Sequence, residues 1–283
     1  MTSPREHDAR ITVIQRELFD ERKSKSQRYA DLVIGQPGWW ALLKYEAIIL
    51  VCWGMPGALG LLLRSRLYPL LLGSCGRDVV FGTGVVLRHP HKIHIADRVV
   101  VDDGCCLDAK GTDNQGIRLG RGVFLGRNTI LSCKNGDIVI EDEANIGFNT
   151  EIFSASRVRV GRKVLIAAYT YLVGGDHLYD RIDLPVLDQG RTAAGIDVGD
   201  HAWLGAHVVV TDGSRVGRDA IIGAGAVVVG EIPEFAIAVG TPARVVRDRR
   251  TPTDAGGRPP ESAAPESDTS ARSPSDKSDG YTL

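Results

Sequence analysis

The chain has 283 residues, 43% of them hydrophobic, with 34 Lys and Arg against 35 Asp and Glu, a formal net charge of −1. That balance offers no basic surface of the kind nucleic acid needs, and the length suits one large domain with tails. Five cysteines, an odd number without paired spacing, argue against a disulfide framework and for a reducing compartment.

Residues 1–38 are polar and charged, with a short helix expected around Ile11 to Tyr29 on a thin apolar stripe. The start does not read as a signal peptide, because no apolar run closely follows its charges. Residues 39–79 form a second segment: Trp39, Trp40, Ala41 to Leu43, then the run AIILVCWGMPGALGLLL from Ala47 to Leu63. The run is about 17 residues, the lower limit for a spanning helix, and is broken by Gly54, Pro56, Gly57 and Gly60. Lys44 precedes the run, and Arg64 and Arg66 come after it. These features suit a helical hairpin lying in one leaflet, with the two arginines among head groups. The alternative is a cap over the open end of the domain C-terminal to it, and both can hold for different faces. In residues 80–94, Arg88, His89, His91, Lys92 and His94 make a small basic cluster on an irregular stretch. It suits a solvated edge or anionic head groups better than a metal.

From Ile95 to Val228 aliphatic residues recur every six positions, in sets of three. The sets begin Ile95, Val101, Leu107; Leu119, Leu125, Leu131; Ile140, Ile146, Ile152. They continue Val160, Ile166, Leu172; Val198, Leu204, Val210; Val216, Ile222, Val228. Neither a helix nor an alternating strand has that period. Four residues after most of them stands a small or β-branched residue, such as Val99, Cys105, Thr129, Thr150, Ala202 or Ala226. Gly often comes directly after, as at Gly120, Gly126, Gly205 and Gly217. Six-residue pieces in threes predict an all-β solenoid, a triangular prism over residues 80–250. The aliphatics point inward, small residues sit at corners, and glycine serves turn backbone. Cys105 falls on a corner and reads as a core residue. The step from Leu107 to Leu119 is twelve residues and that from Leu172 to Val198 is twenty-six, so a long loop leaves the prism near Val173. Function concentrates in such excursions. Residues 251–283, rich in Pro, Ser, Asp and Gly, predict a disordered tail.

From about Val80 to Arg247 the pattern resembles the hexapeptide-repeat family, whose fold is a left-handed parallel β-helix. The handedness comes from the resemblance, since it runs against the usual crossover rule. The stretches VRVGRKVLIAAYTYLVGGDH, IDVGDHAWLGAHVVVTDGSRVGRDAIIGAGAVVVGEIP and VGTPARVVR look like the active region of its acetyltransferases. The galactoside, maltose and polysaccharide O-acetyltransferases are most similar.

The resemblance implies transfer of an acetyl group from acetyl-CoA to a hydroxyl of a sugar, in a glycan, glycolipid or precursor. It implies a homotrimer with clefts between neighbouring prisms, acetyl-CoA as co-substrate and no metal. His177 matches the catalytic base and Trp203 the tryptophan of the acceptor cleft, while Asn149 lies near a polar acceptor contact. Gly205, Ala206 and Ala224 line the cofactor path, the Ala206 amide facing the thioester. Arg244 and Arg247 match basic residues at the nucleotide end of CoA. The usual Thr-Lys after the last repeat is replaced by Val229 and Gly230, which leaves the phosphate contacts to the two arginines. An imidazole can take the hydroxyl proton as the oxygen attacks the thioester and return a proton to the leaving thiolate. Asp176 and Asp180 are candidates for orienting it. A lone loop histidine is most often a surface residue. Here the insertion and the preceding Gly174 and Gly175 single it out. His201 and His207, six apart, fall on adjacent walls and make no metal pair.

Two other readings stand beside this one. A non-catalytic β-helix scaffold would need no His177. A carbonic-anhydrase-like hydratase would need three histidines at spacings this chain lacks. If the apolar segment touches a membrane, the cytosolic origin of acetyl-CoA puts the enzyme on the cytoplasmic face.

Overall fold

The computed structural model describes residues 23–251. The expected tail and most of the expected helix span from Ile11 lie outside the described residues; within them a short helix, α1 (Lys25–Tyr29), starts afresh at a Ser24–Gln27 capping box.

The prism is present. Wall 1 has eight strands, wall 2 nine and wall 3 seven, and the sequence visits them in rotation. Neighbouring strands are parallel and in register except for the closing antiparallel strand of wall 2, with Ile95 beside Leu119, Leu119 beside Ile140, and Ile140 beside Val160. The all-β solenoid expected for the left-handed β-helix class is the observed architecture. The aliphatics of all three walls are buried, and so are the corner residues Val99, Cys105, Thr129, Thr150, Ala202 and Ala226. All five cysteines are free, and burial pushes the Cys105 thiol up to about 12.

The first coil starts earlier than the aliphatic sets suggest. Cys75, Phe81 and Leu87 pair with Ile95, Val101 and Leu107. Cys75 to Leu87 is therefore a regular coil, its period hidden because a cysteine and a phenylalanine fill aliphatic positions, and the irregular part is the corner that follows, with a 3-10 turn at Pro90–Lys92.

The glycines next to the aliphatics have a different reason than expected. None of Gly120, Gly126, Gly205 and Gly217 has a positive φ. A Cβ on Gly205 would lie 2.6 Å from the Ala224 nitrogen, and one on Gly217 would lie 2.3 Å from that of Glu234. Close approach of the next coil excludes a side chain there. The left-handed residue comes two positions later and is mostly not glycine: Asn128, Glu143, Asn149, Tyr169, His201 and His207 all have φ between 53° and 62°. Asparagine tolerates that region best, and Asn128 Nδ2 donates to Asn149 Oδ1 at 3.1 Å, linking two coils.

Insertions use one corner only. Steps from wall 1 to wall 2 and from wall 2 to wall 3 are six residues throughout. The step from wall 3 to wall 1 varies, from four residues (Val228 to Ile232) to twenty-six (Leu172 to Val198). The corner between walls 3 and 1 is thus where the chain departs from its repeat.

Ahead of the solenoid stand α2 (Trp39–Cys52) and α3 (Gly57–Leu67), split at Pro56. Among the described residues no helix is long and apolar enough to cross a membrane. Tyr45, Ile48, Cys52 and Arg64 are buried, and Tyr45 Oη donates to the Leu87 carbonyl at 2.8 Å. The pair therefore caps the first coil. Arg64 does not reach toward head groups: it is 1% exposed. Its Nε donates to the Phe81 carbonyl at 2.9 Å, and Nη1 to those of Cys52 (3.1 Å) and Met55 (2.7 Å). It satisfies carbonyls at the end of α2, where the helix dipole favours a cation. Arg66 is exposed. The opposite face of the pair is apolar and bare, with Leu50 87% and Trp40 67% exposed, and with Trp39, Trp53, Leu59 and Leu62 also open.

The histidine cluster is likewise not a basic edge. His89 is buried, its Nε2 bonds the Asp31 carbonyl oxygen at 2.9 Å, and its ring stacks on His91. Burial lowers the pKa of His89, His91 and His94, which favours their neutral forms. The cluster joins residues 31–35 to the first coil.

Candidate functional site

The twenty-six-residue excursion begins as a short antiparallel ribbon. Asp176–His177 pairs with Arg191–Thr192, and His177 stands across from Arg191. The two preceding glycines let the chain leave the prism closely: a Cβ on Gly174 would lie 2.8 Å from Val158 Cγ2, and one on Gly175 2.8 Å from Ala155 Cβ. Gln189 closes the loop on itself, donating to the Arg181 and Leu184 carbonyls and accepting from the Arg181 amide at 2.9 Å. The chain rejoins at Gly195, φ +89°, where a Cβ would lie 2.5 Å from the Arg157 carbonyl oxygen. The Asp212 carboxylate accepts the Ala194 and Gly195 amides at 2.7 and 2.8 Å. Neither Gln189 nor Asp212 is singled out by the repeat. A hint for Asp212 is its place in an Asp-Gly pair, a common turn signal.

His177 is half-buried, and its Nδ1 is shielded from solvent with no hydrogen-bond partner among the described residues. The Asp176 carboxylate does not take up the ring. Its Oδ1 accepts the His177 backbone amide at 2.7 Å. No hydrogen bond joins Asp180 to the His177 Nδ1 among the described residues.

Most of the other candidates gather elsewhere. Trp203 points outward from wall 2, 47% exposed, between its strand partners Leu165 and Ile221. Gly205, Ala206 and Ala224 lie at the corner between walls 2 and 3. The Gly225 amide donates to the Ala206 carbonyl at 2.8 Å, whereas the Ala206 and Ala224 amides donate to no backbone carbonyl among the described residues. An amide without a backbone acceptor is what a developing oxyanion requires. Asn149 lies on the same corner two coils earlier, roughly 10 Å along the stack at strand spacing. Tyr169 stands between, stacked on His207 with ring centroids 5.0 Å apart. Arg244 and Arg247 lie on the final strand, Arg244–Asp248, antiparallel to Ala236–Val239 at the edge of wall 2. Both are exposed and hold no ion pair among the described residues.

Within one chain these groups do not converge. His177 leaves the corner between walls 3 and 1, and Trp203 stands on wall 2, the wall opposite that corner. Among the described residues no group of three His, Cys, Asp or Glu side chains is placed to hold a metal.

No family model matches the chain. Its sequence relatives are acetyltransferases. It is 34% identical over 134 residues to a probable acetyltransferase of Mycobacterium tuberculosis, covering 47% of this chain and 45% of that one. It is 27% identical over 190 residues to an Escherichia coli protein named as a putative lipopolysaccharide biosynthesis O-acetyl transferase, covering 62% of this chain and 89% of that one. With the galactoside O-acetyltransferase of Escherichia coli the identity is 34% over 106 residues, 36% of this chain and 49% of that one. The chain thus spans about half the length of the first and third of these. Among solved structures, galactoside acetyltransferase in complex with coenzyme A matches with a TM-score of 0.39 and 19% identity, over 74% of this chain and 80% of that one. A mutant N-acyltransferase from Bacillus cereus in complex with dTDP and coenzyme A matches with a TM-score of 0.47 and 18% identity, over 64% and 85%.

Proposed function

We propose that this protein is an acetyl-CoA-dependent O-acetyltransferase acting on a sugar hydroxyl, with His177 as general base. The observation that carries this reading is His177 itself. Its imidazole sits on a braced ribbon at the largest departure from the solenoid, with Nδ1 shielded and bonded to nothing among the described residues. The ring's other nitrogen, Nε2, makes no hydrogen bond among the described residues and is not shielded, so it is the one free to take a proton. The acceptor oxygen attacks the acetyl carbonyl as the imidazole removes its proton, the C–S bond then breaks, and the proton passes to the CoA thiolate. The unengaged Ala206 amide receives the oxyanion. Arg244 and Arg247, exposed and without an ion pair among the described residues, hold the CoA phosphates.

The separation of His177 from Trp203 supports a site completed between copies of the chain. Wall 2 presents an outward apolar row that includes Val80, Phe124, Leu165 and Trp203, all exposed. An apolar, regularly repeated wall is a surface for a second prism. A homotrimer, with His177 of one copy facing wall 2 of the next, buries that row and completes three sites. The bare face of α2 and α3 supports contact with one leaflet, on the cytoplasmic side where acetyl-CoA is available. A membrane-proximal glycan precursor then comes within reach.

The test is thiol release from acetyl-CoA by the full chain over a panel of sugars. Release that depends on acceptor, with acetyl ester recovered on it, is expected. Protein that binds no acetyl-CoA by calorimetry would return the chain to the scaffold reading.

A further inference from the structure

Wall 3 carries, on the side of its corner with wall 1, an outer row of Cα partners running Arg88, Asp108, Ser132, Phe153 and Val173. The row ends where the ribbon of His177 begins, and a Cβ on Gly175 would lie 3.3 Å from the Phe153 ring. Three cations surround this end. Lys134 Nζ lies 5.9 Å from the centre of the Phe153 ring. The Lys110 carbonyl accepts the amide of Asn135, next in chain to Lys134. Arg191 is the cross-strand partner of His177.

Among the described residues none of the three holds an ion pair. The nearby carboxylate, Asp108, is already engaged: it pairs with Arg88 at 3.6 Å and accepts the Lys110 backbone amide at 3.1 Å. Elsewhere on the solenoid some arginines are answered, as Arg159 is by Glu141, Asp197 and Asp200, while others such as Arg244 and Arg247 are not among the described residues. Partial desolvation lowers the affinity of the exposed Lys134 for its proton, the charges of Lys110 and Arg191 lower it further, and Asp108 opposes them. The one carboxylate that opposes them is already engaged, and like charges held together cost stability unless an anion joins them. With net charge −1 for the whole chain, this excess is local.

We propose that Lys110, Lys134 and Arg191 form an oxyanion subsite beside His177, which selects a sugar acceptor bearing a phosphate group, with Phe153 under the sugar ring. This rests on the acetyltransferase reading. Three donors, one a guanidinium fork, fit the several oxygens of a phosphate better than a lone carboxylate. An aromatic face beside a cation suits a pyranose that is apolar on one side and charged at its end.

The test uses the full chain. Phosphorus NMR of a hexose 1-phosphate should show broadening with the native protein and none with Lys134→Gln, Arg191→Gln. Acetyl transfer is then compared for the neutral hexose, a hexuronic acid, the hexose 1-phosphate, and a hexosyl diphosphate lipid in vesicles. The native protein should prefer the phosphorylated acceptors by kcat/KM at least ~10-fold, and the double variant should lose that preference. Whichever phosphorylated acceptor is favoured identifies the source of the phosphate, soluble or lipid-borne. The charge-keeping Lys134→Arg, Arg191→Lys should retain most of it, which separates lost charge from a damaged fold. No phosphate binding, equal use of neutral and phosphorylated sugar, or preference for the hexuronic acid would overturn the proposal. So would a double variant that weakens CoA rather than the acceptor, for the cluster would then serve the CoA phosphates. Phosphate binding lost in the variant without acetyl transfer to any sugar would leave the subsite standing and sink the acetyltransferase reading.

Discussion

Walls 1 and 2 have the same backbone and the same inward stack, yet opposite outer faces. The outer row of wall 1 includes His94, Arg118, Arg159, Asp197, Arg215 and Glu231. Part of its charge is paired within the chain, Arg159 bridging three carboxylates and Arg162 pairing Asp200 at 2.8 Å, while Arg215 and Glu231 hold no ion pair among the described residues. The corresponding row of wall 2 is apolar apart from Asn145 and, on the closing strand, Arg247, and much of it is open. In a solenoid the inward residue of each pair maintains the fold and the outward one is free to vary. Wall 1 is finished as a water-facing surface, and wall 2 is not.

The contrast breaks most visibly on wall 2. Leu165→Glu with Trp203→Glu places charge in the row that a second copy would cover. We expect the assembly to fall to monomer in sedimentation and acetyl transfer to drop by more than ~10²-fold, the scale of losing a positioned catalytic group. Arg118→Glu with Arg215→Glu on wall 1 should leave the sedimentation unchanged. A native protein that sediments as a monomer at micromolar concentration would rule out a shared site.

His177→Ala sharpens the same point from the other side. Turnover should fall by ~10²–10⁴-fold, with CoA affinity and assembly intact, because the ring is only half-buried and its Nδ1 bonds nothing among the described residues. Retained turnover would place the base elsewhere. Arg244→Ala or Arg247→Ala should instead weaken CoA, read by calorimetry, and spare acceptor binding.

Inside the prism the walls should be indistinguishable. Ile140 on wall 1 and Ile146 on wall 2 are both 1% exposed or less. Ile→Ala at either should cost about 2–5 kcal/mol in denaturant unfolding. A clear difference between them would mean that the two walls are not equally packed.

This equivalence is also why so much of the fold is legible in the sequence. Inward positions recur at a fixed spacing and admit few residue types, so Ile95 to Val228 declares itself. Features that depend on a single contact do not. Arg64 reads as a flanking charge and is a buried clamp on three backbone carbonyls, because nothing in its neighbours signals Phe81, Cys52 and Met55. Cys75 and Phe81 hide a coil by departing from the aliphatic alphabet while keeping its spacing. The pairing of His177 with Arg191 joins residues fourteen positions apart in a segment without a period. His177 is legible only through its setting and its resemblance, and the lack of a hydrogen bond to its Nδ1 among the described residues only through the structure.

The smallest effect lies on wall 1 and concerns acid. Partial burial pushes the Asp200 carboxyl up. The Arg162 hydrogen bond and charge, with Arg159 behind them, outweigh this and hold its pKa below the usual carboxylate range. A depressed folded-state pKa contributes stability that is complete above the unfolded value near 4. It is lost as pH falls through the lower folded value. Because the partners are exposed to solvent, the contribution is roughly 1 kcal/mol or less. Asp200→Asn should therefore lower the unfolding midpoint slightly at pH 7, by a difference that shrinks as pH falls below the unfolded value. Wall 2, with no such network on its outer row among the described residues, should show no matching acid-dependent loss on Asn145→Ala. If Asp200→Asn costs as much at pH 3 as at pH 7, the pairing on wall 1 is decorative, and the contrast between the walls reduces to hydrophobicity alone.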